Sequence, residues 1–79
     1  MALKNKGLKN LNVSINLQRL EEERNEKGYA LSDISYILGY KTPSGYWLVE
    51  HGERKITAQA LYILAQLYDK PMEYFIIEE

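Results

Sequence analysis

The sequence predicts a compact, all-α domain of five short helices, and three observations carry that prediction. Apolar residues recur at three and four positions through most of the chain, the spacing of one helical face. No run alternates apolar and polar residues long enough to make a strand. Glycine, threonine and proline recur between the apolar stretches, where helices end and begin. A chain of 79 residues holds one domain, and its core must be local, because a chain this size buries only about 60% of its unfolded surface.

Residues 1–12 are polar and lysine-rich and predict a flexible basic N-terminal arm; residues 13–79 form the folded domain. Helix one is expected from a Ser14 cap, with Leu17, Leu20 and Arg24 on one face and Gly28 at its end. Glu21, Glu22, Glu23 and Glu26 form its solvated side. Helix two spans Leu31 to Leu38, turns Ile34, Ile37 and Leu38 inward, and stops at Gly39, where a left-handed residue bends the chain sharply. Thr42 and Pro43 then start helix three, as cap and first helical residue, with Tyr46 and Val49 inward and Gly52 as the stop. Thr57 caps helix four, whose stripe is Ala60, Leu61, Leu64, Ala65 and Leu67. Pro71 opens a fifth short helix that packs Met72, Phe75 and Ile76.

Composition excludes several classes of function. There are no cysteines, so neither a disulfide framework nor a thiolate metal site is available, which fits a reducing cytoplasm. Apolar runs are too short to span a bilayer, and the first residues lack the hydrophobic stretch of a signal peptide. The one histidine, His51, has neither cysteine nor a carboxylate cluster beside it, so no metal or other cofactor is expected. No nucleophile–base pair or phosphate-cradling glycine loop points to an enzyme. The net charge of -1 weighs against nucleic-acid binding, but it is unevenly spread: Lys4, Lys6, Lys9 and Arg19 precede every acidic residue, and the glutamates follow as a block. Local field matters more to binding than the sum.

Two short helices about a glycine turn, between Leu31 and Glu50, are weak evidence alone. The whole pattern is more specific. Arg24, Gly28-Tyr29, Ile34, Leu38-Gly39-Tyr40, Glu50-His51-Gly52, Arg54-Lys55, the Leu61, Leu64, Ala65 and Tyr68 stripe, and Pro71 through Phe75 fall in one order. In that order the chain resembles the Cro/repressor (XRE-like) helix-turn-helix family over about three quarters of its length. The resemblance implies a repressor-like fold and sequence-specific duplex DNA binding by a transcriptional regulator. Helix three, about Pro43 to Glu50, would be the recognition helix in the major groove. It also implies an ion pair from Arg24 to Glu50 that docks this helix. Where the family usually has a polar cap and then glutamine, this chain has Ala30 and Leu31, and its turn through Lys41-Thr42-Pro43 is one residue longer.

The candidate DNA-binding residues are Lys41, Thr42, Ser44, Gly45, Trp47, Leu48, His51, Arg54 and Lys55. Thr42 and Ser44 offer capping hydroxyls, and Ser44 a phosphate or base contact as well. Gly45 adds no side chain and would let the helix approach the groove closely, at a helix-propensity cost of about 1 kcal/mol relative to alanine. Helical phase turns Trp47 and Leu48 outward, where contact with thymine methyls, a protein interface and partial burial are the open alternatives for Trp47. Lys41, Arg54 and Lys55 flank the helix and suit phosphates, and His51 stands where relatives place a phosphate-contacting asparagine. Lys4, Lys6 and Lys9 either reach the duplex as an arm or stay solvated. One short helix reads few base pairs, so a homodimer is expected, through Tyr74, Phe75, Ile76 and Ile77, too many apolar residues for a last short helix to bury. No small-molecule ligand and no membrane partner are expected. The competing reading on the same scaffold is a protein-interaction module, such as an antitoxin, with weak or no DNA binding.

Overall fold

The computed structural model describes residues 12–78; the expected arm falls outside this range except for Asn12. In chain order come β1 (Val13–Ile15), α1 (Leu17–Glu26), α2 (Leu31–Leu38), α3 (Gly45–Glu50), α4 (Ala58–Leu67), a 3-10 turn (Met72–Phe75) and β2 (Ile76–Glu78). The expected five-helix all-α class is therefore corrected. There are four α-helices and a two-stranded antiparallel sheet, with Val13 opposite Glu78, Ser14 opposite Ile77 and Ile15 opposite Ile76. Three-residue strands are too short to announce themselves by alternation. Their pairing partner lies at the far end of the chain, and each strand makes sense only beside the other.

This sheet moves two expected boundaries. Ser14 sits in β1 and caps nothing. Asn16 caps α1 instead, its Oδ1 accepting from the Arg19 N–H at 3.1 Å while its own N–H donates to the Phe75 carbonyl at 2.7 Å. The segment after Pro71 makes one 3-10 turn and then extends as β2, as β-branched Ile76 and Ile77 favour. That path buries Phe75 completely and half-buries Tyr74 and Ile76. The apolar surplus expected to form a dimer patch is thus absorbed, and only Ile77 of the four remains exposed, at 40%. Two cations also lie over the Tyr74 ring, the Arg19 guanidinium 4.3 Å from its centre and the Lys70 ammonium at 4.9 Å.

The core draws on every helix: Leu20 of α1, Ile34 of α2, Tyr46 and Val49 of α3, and Leu61, Leu64 and Ala65 of α4, closed by Tyr68 and Phe75. The four helices end alike. In each, the residue after the last turn is left-handed and the next N–H reaches back to close the motif, as in Tyr40 N–H to Ser35 O at 2.9 Å. Glycine fills that position three times, and Asp69, at φ 56, fills it after α4. Among the described residues no helix is long and apolar enough to cross a membrane.

Candidate nucleic-acid interface

The third helix is shorter than expected. Thr42 and Pro43 lie in an exposed turn, and α3 begins at Gly45 after Ser44, whose side chain makes no capping bond. The capping is done from another helix. The buried Ser35 hydroxyl of α2 accepts from the Tyr46 N–H at 2.9 Å, satisfying a donor that the local sequence leaves open. Gly45 has a packing role that the sequence did not suggest. It is buried, and an added Cβ would meet Tyr40 Cβ at 2.9 Å, so the missing side chain lets α3 seat against the end of α2. Replacing Ser35 with alanine should cost about 1–3 kcal/mol, the toll of a buried unsatisfied N–H. Urea unfolding would measure it; a loss within error would mean that water serves the Tyr46 N–H equally well.

The C-terminal end of α3 is fixed from α1. Arg24 donates to Glu50 through Nε at 2.8 Å and through Nη2 at 3.1 Å, a two-pronged pair, and its Nη1 donates to the Tyr29 carbonyl at 3.0 Å. The Arg24 side chain is 10% exposed and that of Glu50 3%. Hydrogen bonding to Glu50 holds the guanidinium above its ordinary pKa against the opposing pull of burial. This is the ion pair the resemblance implied. Tyr46 and Tyr68 lie beside it with their hydroxyls buried, and neither oxygen meets a partner at hydrogen-bond geometry among the described residues. Burial first, then neighbouring negative charge including that of Glu50, raises both phenols well above the usual tyrosine range.

Held at both ends, α3 buries Tyr46 and Val49 completely and presents its other side. Trp47 is 38% exposed, and Leu48 is half-buried beside it. Lys41, Thr42, Ser44, Trp47, Leu48 and Arg54, with Tyr40 and the backbone of Gly39 and Gly45, line one open depression of about 500 Å³. Arg54 lies across the Tyr40 ring at 5.2 Å, which sets its charge at the rim. His51 joins from the end of the helix: its ring stacks on the Trp47 indole, centroids 3.7 Å apart and planes 19° from parallel. Lys55 faces elsewhere. It lines a second groove with β1, Leu17 and Ile56, which shares only Arg54 with the first.

Tyr40 and two further residues that sequence reasoning did not single out belong to this face. Ser32 and Tyr36 of α2 line a hollow continuous with the first through Tyr40, Lys41 and Thr42, and Tyr36 is 86% exposed. Ser32, Tyr36 and Tyr40 recur every four residues, so the helical phase that turned Ile34 inward also carried the signal for them. At the start of α2, Ala30 supplies no side-chain cap; the Asp33 carboxylate instead accepts from the Ala30 N–H at 2.8 Å. Among the described residues, no group of three His, Asp or Glu side chains gathers to hold a metal ion. Comparison of the chain with known protein families, with curated proteins and with solved structures finds no match.

Proposed function

We propose that this chain binds duplex DNA in a sequence-specific way, as a repressor-like transcriptional regulator, with α3 laid in the major groove. One observation carries the reading: α3 is anchored at both ends from other helices, by Ser35 and by Arg24, while Trp47, Leu48 and Ser44 line an outward surface rimmed by Lys41 and Arg54. Among the described residues no ion pair or core contact uses the outer side of this six-residue helix, and a helix so firmly held is suited to present that side. In this reading Trp47 and Leu48 supply apolar contact to thymine methyls, Ser44 and Thr42 offer hydroxyls, and Lys41 and Arg54 neutralise phosphates. Regulation would follow from occupancy of a site by a homodimer in the cytoplasm. Ile77, exposed at the sheet, is the residue of the expected dimer patch left to join two copies.

Selection from a random duplex pool tests the reading and displays half-site symmetry at once. Against the selected duplex, Trp47→Ala should change base preference with little effect on melting temperature, because the ring lies outside the core. Lys41→Ala and Arg54→Ala should weaken all sequences alike, each lowering the log–log salt slope by about 0.9. If no duplex shows salt-dependent binding, the domain is a protein-interaction module, and exposed Tyr36 and Tyr62 become the surfaces to probe.

A further inference from the structure

His51 is placed so that its protonation state changes what α3 can offer a duplex. Its Nδ1 lies 2.8 Å from the Trp47 carbonyl oxygen. A carbonyl oxygen only accepts, so Nδ1 carries a proton and the tautomer is fixed. One ring face is covered by the Trp47 indole. What remains outward is Nε2, which in the neutral ring is a bare lone pair. Phosphate oxygens also only accept, so the neutral ring has nothing to donate to a backbone. The imidazolium keeps the Nδ1–H bond to Trp47, gains an Nε2–H donor and a positive charge, and sets that charge against the indole face.

The Glu50 carboxylate is turned inward onto Arg24. The charged residues of the following loop, Glu53, Arg54 and Lys55, are all exposed, and none of the described residues forms an ion pair with the imidazole.

We propose that His51 is a protonation-gated phosphate donor that also clamps Trp47: neutral, it only holds the indole; charged, it adds a backbone phosphate contact at the end of α3. The phosphate half of this inference rests on the DNA reading above; the clamp does not. The chain has one tryptophan and one histidine, so each signal has one source.

Two measurements separate the halves. Without DNA, the fluorescence of Trp47 should fall as pH drops from about 8 to 5.5, because an imidazolium quenches an indole it touches. His51→Gln should abolish that titration. With random-sequence 20-bp duplexes at fixed ionic strength, affinity should rise about tenfold over the same range, as a charge-assisted hydrogen bond warrants, and the salt slope should steepen by about 0.9. His51→Gln should bind with a flat profile, and His51→Lys should be flat at the tighter level. Fluorescence that does not titrate overturns the clamp. A wild-type pH profile shared by His51→Gln overturns the phosphate contact while leaving DNA binding standing. Titrating fluorescence with no duplex binding by the wild type or His51→Lys at any pH sinks the DNA reading and the phosphate contact together, and leaves the clamp alone.

Discussion

Replacing Glu50 with alanine should cost about 3–5 kcal/mol of folding stability, because it strands the Arg24 guanidinium in a site where its side chain is only 10% exposed. The magnitude is decisive for a domain this small. At roughly 0.05–0.15 kcal/mol per residue, a chain of this length holds only about 4–12 kcal/mol in all, so the variant sits at the edge of unfolding at ambient temperature. Arg24→Met alone should be comparably damaging, leaving the Glu50 carboxylate buried without its two donors. Together, Arg24→Met with Glu50→Met should recover most of the loss, since exchanging a whole buried pair for apolar side chains is often neutral or better. Urea unfolding of the two single variants and the double gives the coupling energy. Additive losses would show that the pair does not hold α3 in place. Function should follow stability here, because the pair ties the end of the presented helix to α1.

Above about pH 10 the folded state should lose stability steeply, at about 1.4 kcal/mol per pH unit for each of Tyr46 and Tyr68. Both phenols are raised in the folded chain, by burial before any other cause. In the unfolded chain they release protons near the ordinary tyrosine value of about 10. Below that value both states are protonated and the contribution is fully present. Above it the unfolded state binds fewer protons, so each step in pH favours unfolding until the folded phenols titrate in their turn. Tyr68→Phe should remove half of this dependence. It should leave stability at neutral pH unchanged or raised, since the lost hydroxyl makes no hydrogen bond. Urea midpoints between about pH 8 and 11.5, with phenolate absorbance as the second signal, check both statements. A slope equal in wild type and Tyr68→Phe would mean that the Tyr68 phenol titrates like an exposed one.

Much of the candidate face was legible before any coordinates. The phase that turns Tyr46 and Val49 inward turns Trp47 outward, and the structure has both tyrosine and valine at 0% exposure and the tryptophan at 38%. The turn residue Gly39 adopts φ 79, as its place after Leu38 requires. Helix four runs from the Thr57 cap as its hydroxyl predicts, with Oγ1 accepting from the Ala60 N–H at 3.0 Å. The start of α3 was misread, because Thr42-Pro43 is a good local helix signal that lost to a tertiary one.

What the sequence determined by itself was local: the central turns of the four helices, most of their apolar sides, and the glycines that stop three of them. Those features follow from periodicity and backbone sterics within a few residues of chain. Tertiary structure alone decided the rest. The strands exist because Val13–Ile15 and Ile76–Glu78 meet across the whole length of the domain. The first residue of α3 is set by a serine on another helix and by the Tyr40 side chain that Gly45 makes room for. In each case the deciding partner is a donor, acceptor or surface that only folding brings within bonding distance, and no window on the sequence contains it.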